Sequence, residues 1–327
     1  MSPQDTPKTP GAKAPGRAPS RDTSRRREAL NGLGLLSPAL VVMVSMLALP
    51  VGALFVMSFW TQSGFTLDTT FTLDNYRRLF STSERATEWM GITFHLGYPV
   101  PAILMIKSLA MSLMATVAVV LLAYPMAYFL AFRVKSNKAA WIIILTIPFW
   151  TSYLLRVFSW KVVLGYNGAI NSGLMSLGLI DAPLEFLLYN PAAVVITLSH
   201  AWVAFVVLPI YVSLEKIDRS MLEAASDLGD SKFKRFRRII LPLSMPGTIT
   251  AALMVFIPTV GDYVTPQLVG GTGGTMIGSL VQQLFTKQNN APMGAAVSLV
   301  MMLIIAALVL TFLTLIGYWK MRARSAR

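Results

Sequence analysis

The side chains that could carry out chemistry are few in this sequence, and their types exclude most kinds of catalytic centre. The 327 residues contain no cysteine and two histidines, His95 and His200. Disulfides, thiolate nucleophiles and a multi-histidine metal site are therefore excluded. His200 lies inside an apolar run, where we expect a hydrogen-bonded packing residue, and His95 is predicted to lie in a loop. No nucleophile or acid–base pair accompanies either histidine, which argues against an enzyme and against a bound metal.

Phosphate-binding chemistry is also missing from the sequence. The glycine-rich segment GGTGGT at 270–275 has no following lysine, and the G-x-x-x-x-G-K-[ST] pattern of a phosphate loop does not occur in the chain. We therefore expect that this chain binds no nucleotide or other cofactor, and we place 270–275 in a loop.

One carboxylate, that of Asp262, stands where an acid is costly. It ends the uncharged run 239–261, and an acid inside a membrane costs a few kcal/mol unless it is hydrated or paired. In one interpretation Asp262 faces a cavity and attracts a cationic solute, helped by aromatic side chains that form a weak cation–π passage. The aromatic candidates are Trp150, Tyr153, Trp160 and Tyr263.

A second interpretation of Asp262 stays open at this point. Asp262 pairs with Arg156 or Lys161 and fixes the packing of the spans, while the Trp and Tyr side chains form an aromatic belt at the membrane surface. Residue types alone do not separate the two interpretations, because both place an acid near cations and aromatic rings.

Long apolar elements must position these side chains, because the composition is that of a membrane protein. Hydrophobic residues make up 54% of the chain and charged residues 13%, which is about half the charged share of a soluble domain. A bilayer core of about 30 Å needs roughly 20 helical residues. The uncharged stretches that reach this length are 35–60, 108–132, 186–214, 239–261 and 294–319.

A sixth stretch, 139–155, is followed by Arg156 and Lys161 but continues as an apolar sequence. We predict one span with both cations near its far end, where long side chains can extend to the membrane surface. The uncharged segment 263–286 contains Pro266 and five glycines, so we predict a re-entrant or extracytoplasmic loop there. The sequence therefore predicts an all-α membrane protein with six transmembrane helices.

The net charge of +13 is concentrated between the predicted spans. Lys and Arg collect in the N-terminal tail, after the second span, after the fourth span and at the C-terminus, which lie on one side of a six-span protein. Both termini are therefore predicted to be cytoplasmic, in a multi-pass membrane protein. Residues 1–30 are predicted to form a disordered basic tail and 31–327 the transmembrane domain. Membrane lipid is the expected partner of the tail arginines 25–27, and nucleic acid is not.

The loop 220–238, between the fourth and fifth spans, has the pattern of two short helices joined by a turn. Ser220 and Glu223 have the spacing of a capping box, which predicts that a helix starts at Ser220. Gly229 suits a left-handed turn, and Asp230 or Ser231 can cap the second helix.

The first of these helices is predicted to have a narrow apolar face and an acidic flank, and small side chains on the apolar face allow another surface to come close. The apolar face consists of Met221, Ala224, Ala225 and Leu228. The acidic flank consists of Glu223, Asp227 and Asp230. The loop is thus suited to dock a partner, although a connector lying on lipid, in which Glu223 is only a cap, is an alternative.

The register of this loop resembles the cytoplasmic signature of permease subunits of binding-protein-dependent ABC importers with the type I fold. That signature is EAA, three residues, glycine and then a spacer to I-x-LP. Here it reads Glu223-Ala224-Ala225, Gly229, Ile239 and Leu241-Pro242. The resemblance covers nearly all of the chain after residue 30 and is closest to the spermidine/putrescine branch, although relatives often have glutamate in place of Asp262. The segments that carry it are 147–160, 208–218, 261–271 and 293–299.

The resemblance implies that residues 220–238 are coupling helices that dock into a groove on an ATPase subunit. Ala224 and Ala225 would allow close seating, Glu223 would face the ATPase or brace the helix, and Gly229 would set the turn. Asp227, Leu241 and Pro242 complete the implied coupling site.

The resemblance also implies the composition of the complex. Two ATPase subunits that bind ATP and Mg²⁺, a second and homologous permease chain, and a periplasmic substrate-binding protein would accompany this chain, which would itself not be an enzyme. The implied solute is a polyamine, spermidine or putrescine, or a related small organic cation. Iron(III), thiamine, an opine and an aminophosphonate are alternatives within the family. A secondary transporter is an alternative from another class, although the sequence has no internal repeats or ion-coupling groups.

Overall fold

The structure is a computed structural model that describes residues 21–81, 87–89, 92–94 and 99–325. His95 and most of the predicted N-terminal tail lie outside these residues. The chain divides into two compact units, residues 1–53 and 54–327. Helices dominate the described part, together with two small antiparallel hairpins.

The first helix, α1 (Arg21–Met57), contains the apolar stretch 34–57. It also includes residues 21–30, which the sequence assigned to the tail. Arg, Glu, Ala and Leu, which are good helix formers, continue the helix of the adjoining span in this region. Pro38 and Pro50 lie inside α1.

A short extended region follows α1. Strands β1 (Thr61–Ser63) and β2 (Thr66–Asp68) form one hairpin, helix α2 spans Asp74–Leu79, and strands β3 (Thr87–Trp89) and β4 (Ile92–Phe94) form the second hairpin. The buried Asn75 holds α2 to the preceding turn, because its Nδ2 donates to the carbonyl oxygens of Ser58 at 2.9 Å and Trp60 at 2.7 Å.

The core lies where three long helices pack together. These are α3 (Val100–Phe132), α7 (Pro191–Glu215) and α10 (Leu241–Val260). Small and β-branched side chains line their shared faces, which lets the helices approach closely. The buried members include Val119, Ala123, Ala127, Val206, Val207, Ala251 and Val255. A Cβ added at Gly247 of α10 would lie 2.4 Å from the Cβ of Ser213 on α7, so these two helices meet closely at a glycine.

Helix α3 begins earlier than the predicted stretch 108–132 and so includes Lys107, whose side chain is 3% exposed. The predicted stretch starts after Lys107 because it contains uncharged residues alone, whereas the helix itself begins before this lysine. Next to Lys107, the Oγ of Ser108 accepts a hydrogen bond of 2.7 Å from the backbone N–H of Ile277, at the start of a later helix.

The third predicted span is bent rather than straight. It consists of α4 (Lys138–Thr146), a 3₁₀ turn (Ile147–Trp150), α5 (Tyr153–Leu164) and α6 (Ala169–Ser176). The two halves, 138–150 and 153–176, meet at 81°. The predicted third span is therefore not one straight helix, although the bent pair still counts as one span in a six-span protein. Pro148 and the extended residues at 151 and 152 interrupt the helix, and apolar composition does not reveal such a break.

The segment 263–286 does not form one long helix, in agreement with its glycine content. It contains a π-helical turn (Pro266–Gly270) and the short helix α11 (Ile277–Thr286). Gly271 has φ of +58°, and a Cβ there would lie 2.6 Å from the carbonyl oxygen of Tyr189. Glycine thus allows this segment to pack against the start of α7.

The last helix, α12 (Ala291–Ser325), packs against α11 in a second core cluster that includes Val260, Leu284, Ala296, Val297 and Met301. Within the described ranges, five helices are long and apolar enough to cross a membrane, and the bent pair makes up to six. The prediction of an all-α membrane protein is confirmed.

Candidate functional site

The first candidate site is the loop between α7 and α10, residues 216–240, called here the α7–α10 loop. It contains α8 (Arg219–Asp227), α9 (Lys232–Arg235) and a π-helix (Phe236–Ile240) that continues into α10. Two short helices joined by a turn were predicted here, and this arrangement is confirmed.

Helix α8 is capped by Asp218, which precedes the predicted start. Its Oδ1 accepts a hydrogen bond of 2.9 Å from the backbone N–H of Ser220. The predicted capping box of Ser220 and Glu223 was therefore wrong, because Ser220 already lies inside the helix. A carboxylate at the N-cap also favours the positive end of the helix dipole. Hydrogen bonds from the backbone and side chain of Ser220 lower the pKa of Asp218 below its ordinary value.

The turn after α8 forms at Gly229, as predicted. Gly229 has φ of +82°, and the N–H of Asp230 donates to the carbonyl of Ala225 at 2.9 Å, so the carbonyls at the end of α8 are satisfied. Ser231 caps α9 by accepting a hydrogen bond of 3.3 Å from the N–H of Lys234. The turn therefore depends on a residue without a side chain.

The predicted apolar face of α8 is divided between two directions. Ala225 is buried and Leu222 packs against the α3–α7–α10 core, whereas Met221 is 48% and Leu228 89% exposed. Ala224 lies on the exposed side as well. Burial thus fixes one side of α8, and the other side presents apolar and small side chains outward. The acidic residues Glu223 and Asp227 are exposed.

Two arginine side chains of the α7–α10 loop donate hydrogen bonds to backbone carbonyls, one on α3 and one within the loop itself. Arg219 donates to the carbonyl of Ala131 at the end of α3, over 3.3 Å, and Arg235 donates to the carbonyl of Leu222 in α8, over 3.2 Å. The sequence did not distinguish these two arginines from their basic neighbours. Their partners are backbone carbonyls, which leave no signal in the sequence.

The remaining residues of the predicted coupling site lie at the start of α10. Leu241 and Pro242 directly follow the π-helix, within the continuous helical stretch 232–260, so Pro242 cannot donate a backbone hydrogen bond to the preceding turn. A nearby ion pair joins Lys138 of α4 to Glu215 of α7, with Nζ and Oε1 2.6 Å apart. The loop is thus joined to the core through the end of α7, where Glu215 forms an ion pair, and through the start of α10.

The second candidate site surrounds Asp262, directly after α10. Its Oδ2 accepts a hydrogen bond of 2.6 Å from the hydroxyl of Tyr153, and its Oδ1 accepts one of 3.0 Å from the N–H of Val264. The Tyr153 hydroxyl also lies 2.7 Å from Oγ1 of the buried Thr265. The polar network therefore joins the start of α5 to the turn after α10.

The predicted ion pair of Asp262 is not formed. Neither Arg156 nor Lys161 forms an ion pair with it within the part of the chain that the structure describes. Arg156 instead donates to the carbonyl of Ala201 at 2.8 Å, and its Cζ lies 4.7 Å from the ring centre of Phe149. The interpretation of Asp262 as the partner of a cation was therefore wrong, because a tyrosine hydroxyl takes that place.

The predicted aromatic residues do not form one cage around Asp262. Trp150 is 87% exposed, and Tyr263 lines an apolar cavity of about 810 Å³ between α10, α11 and α12. Trp160 packs edge-on against His200, with ring centres 5.4 Å apart. His200 therefore packs against an aromatic ring, as expected, but its side chain is exposed and the expected hydrogen bond is not found among the described residues. Among the described residues, Tyr153 is the one of the four candidates that forms a hydrogen bond with Asp262.

Aromatic residues that the sequence reading missed lie beside Tyr153. Its ring centre is 6.2 Å from that of Trp202, which in turn lies 5.5 Å from Phe205. Both come from α7 and face the bend of the third span. Trp202 and Phe205 lie in an apolar helix at a spacing that ordinary packing residues also have, so nothing in the sequence distinguishes them from packing residues.

Comparison with known proteins agrees with this architecture. The family model described as "Binding-protein-dependent transport system inner membrane component" matches residues 33–323. The spermidine/putrescine transport system permease protein PotB of Escherichia coli is 36% identical over 250 residues, which cover 76% of this chain and 82% of PotB. The PotB protein of Haemophilus influenzae is 33% identical and covers 74% of this chain and 78% of its own length.

A solved structure with the same fold is that of a bacterial ABC transporter involved in the import of the acidic polysaccharide alginate. It matches with a TM-score of 0.60 and 17% identity, over 89% of this chain and 96% of that one. A second structure, of the alginate transporter in complex with its periplasmic protein, matches with a TM-score of 0.63 and 16% identity, over 88% of this chain and 94% of that one. At such identities the match shows the fold alone.

The residues of the family model span both candidate sites and every long helix after residue 33. This chain therefore belongs to the binding-protein-dependent transport system inner membrane components, the multi-pass permease subunits of ABC transporters.

Proposed function

We propose that this permease imports a polyamine, spermidine or putrescine, or a related small organic cation, using ATP hydrolysed by partner subunits. Two ATPase subunits binding ATP and Mg²⁺, a second homologous permease and a periplasmic substrate-binding protein complete the complex. The outward side of α8, in the α7–α10 loop, is its ATPase contact. The observation that carries the proposed ATPase contact is that the two sides of α8 have different surroundings. One side packs against the core, and the other presents Met221, Ala224 and Leu228 outward.

The outward side of α8 is suited to a protein groove rather than to water. Leu228 is 89% exposed beside the turn at Gly229 and Met221 is 48% exposed on the same helix, so α8 presents apolar surface that a groove on the ATPase would remove from water. Glu223, Ala224 and Asp227 are also exposed on α8, so an ATPase surface can contact backbone, small and acidic groups together. Ala225 supports α8 from its buried side.

A cationic solute is supported by two independent facts. The PotB relatives carry the name of spermidine/putrescine permeases, and Asp262 is a carboxylate whose charge no cation neutralises within the described residues. The carboxylate accepts hydrogen bonds from Tyr153 and from the backbone N–H of Val264, which fix its orientation. We therefore place Asp262 and Tyr153 on the solute path.

The direct test uses the complete complex in liposomes, with the binding protein and ATP supplied on opposite sides. We expect ATP-dependent uptake of radiolabelled spermidine or putrescine, and calorimetric binding of the same compound by the binding protein. Matched assays use Fe(III), thiamine, an opine and an aminophosphonate. Uptake of one of these, without polyamine uptake, would replace the proposed solute while leaving the permease role intact.

Orientation is a separate part of the proposal: the α7–α10 loop and both termini face the cytoplasm. The absence of native cysteine allows single reporter cysteines to be introduced without background. Ser226→Cys lies on exposed α8, and Ser63→Cys lies in the exposed first hairpin. In intact spheroplasts we expect a membrane-impermeant maleimide to label position 63 but not 226, and both after permeabilisation. The reverse pattern would invert the topology.

A further inference from the structure

One aromatic side chain of the α7–α10 loop turns inward. Phe236 is the first residue of the π-helix, and its ring contacts two tyrosines of α3 edge-on. The ring centres lie 5.8 Å from Tyr124, at 88°, and 6.4 Å from Tyr128, at 72°. Its neighbour Phe233 is 71% exposed by comparison. Phe236 is therefore a side-chain bridge between this loop and a helix far away in sequence.

The contact at Tyr124 also reaches α10. The Tyr124 hydroxyl lies 2.7 Å from the Oγ of Ser244, which is completely buried. Loop, α3 and α10 therefore meet at one point, formed by an aromatic contact and a hydrogen bond. A displacement of Phe236 cannot leave Tyr124 in place without opening a gap in a packed core.

Helix α3 is weakest at this point. Tyr124 is followed by Pro125, which lies inside α3 and cannot donate a backbone hydrogen bond to the preceding turn. Helices bend most readily at such a residue. The ring of Phe236 thus presses on α3 beside the position where that helix changes direction most easily.

The connection to α7 is of another kind. At Gly247 the backbone of α10 passes so close to Ser213 that a methyl group would not fit, so α10 and α7 share a close contact. The π-helix joins the loop to α10 covalently, and wide helical turns of this type occur frequently at functional sites. Movement of the loop therefore reaches α10 through the backbone, whereas its route to α3 includes the Phe236 ring.

We propose that Phe236 is a positioning residue that transmits movement of the α7–α10 loop to α3. This inference rests on the proposed function of the loop as the ATPase contact. In this role Phe236 does not hold the ATPase. It makes the bend of α3 follow the position of the loop, so that ATP hydrolysis and opening of the solute path occur together.

The test is Phe236→Ala in the complete reconstituted complex. We expect the ATPase to co-purify as in the wild type and ATP hydrolysis to continue. We expect the amount of solute transported per ATP hydrolysed to fall about tenfold, within the usual range of coupling between two sites. Phe236→Leu, which keeps most of the apolar volume, should recover much of this ratio and also serves if the alanine variant does not fold.

Phe132→Ala is the matched control. Phe132 packs against the same core cluster and lies 4.9 Å from Tyr128, ring centre to ring centre, but it belongs to α3 and not to the loop. We expect it to lower the thermal stability like Phe236→Ala while leaving the transport ratio near the wild-type value. Equal loss of the ratio in both alanine variants would overturn the proposal, and so would loss of the ATPase from Phe236→Ala. Failure of the wild-type chain to co-purify with the ATPase would instead refute the proposed function.

Discussion

The α7–α10 loop and the Asp262 region differ in how far apart in sequence their determinants lie. In the loop, the cap at Asp218, the turn at Gly229 and the cap at Ser231 all act on residues within a few positions of themselves. In the Asp262 region, the decisive partner is Tyr153, from a different helix. The conformation of the loop thus depends on interactions between residues close in sequence, whereas the Asp262 network forms only when α5 and α10 pack together.

This difference predicts separate consequences of mutation. Variants of α8 and of the turn after it should affect assembly with the ATPase, because the shape of the docking surface depends on local backbone geometry. Variants at Asp262 should affect transport while the complex still assembles, because the network lies at the opposite end of α10 from the loop. Each of the following experiments tests one side of this separation.

The largest effect is expected at Gly229. Gly229→Val forces a β-branched side chain into φ of +82°, which costs on the order of 1–3 kcal/mol of strain. We expect co-purification of the ATPase to fall by roughly 5-fold to 150-fold, since 1.4 kcal/mol corresponds to a factor of ten. Gly229→Asn should retain more of the assembly, because asparagine tolerates the left-handed region.

Gly178→Val provides the matched control for this strain. Gly178 has φ of +66° and, like Gly229, has open space around its Cβ position, but it follows α6. We expect Gly178→Val to keep the ATPase. If Gly229→Val assembled as well as the wild type, the α7–α10 loop would not be the contact.

An intermediate effect is expected at Asp262. Asp262→Asn keeps the shape and an oxygen acceptor but removes the charge, so we expect uptake to fall roughly tenfold, the order of one cation contact in a partly dehydrated site. ATPase co-purification and the affinity of the binding protein should not change. The measurement is uptake and thermal stability on the same reconstituted complex.

Tyr153→Phe separates charge from packing at this site. It removes the hydroxyl that Asp262 accepts from and leaves the carboxylate in place. We expect a smaller loss of uptake than for Asp262→Asn, with a larger loss of thermal stability. Normal uptake and stability in Asp262→Asn would remove Asp262 from the solute path.

The smallest effect is expected at the cap of α8. Asp218→Ala removes the acceptor for Ser220 and should weaken ATPase binding slightly, while Asp218→Asn should preserve it and Ser220→Ala should have little effect. Because folding lowers the pKa of Asp218, the cap contributes above the ordinary value of 3.8 and is lost as the pH falls through the folded pKa. Titration of ATPase binding measures both effects. If Ser220→Ala weakened ATPase binding more than Asp218→Ala, the predicted capping box of Ser220 and Glu223 would be supported instead of the Asp218 cap.

Prediction from the sequence succeeded for features with local causes. The long apolar stretches and the left-handed turn at Gly229 were predicted correctly, because hydropathy and backbone conformation depend on neighbouring residues. For the cap of α9 the sequence left Asp230 and Ser231 open, and the structure has Ser231. The predicted start of α8 at Ser220 was wrong, because the capping-box pattern did not point to Asp218, which caps the helix.

The roles assigned to the loop, and to Asp262 as part of a solute path, remain predictions. Of the four aromatic residues grouped with Asp262, Tyr153 is the one that hydrogen-bonds to it within the described residues. Residue type predicted that aromatic side chains would lie near the acid. It did not predict which of them, because the bend of the third span turns Trp150 and Tyr153 into different surroundings.

The sequence by itself determined a membrane protein of long helices, because hydrophobicity is a property of each stretch of residues. It also determined the two short helices and the turn of the α7–α10 loop, because the turn depends on the conformational freedom of glycine. Only the tertiary structure decided the 81° bend of the third span, the pairing of Asp262 with Tyr153, the burial of Ala225 and the inward position of Phe236. These features depend on contacts between residues far apart in the chain. Such contacts form only where packing of α3, α7 and α10 brings particular side chains together.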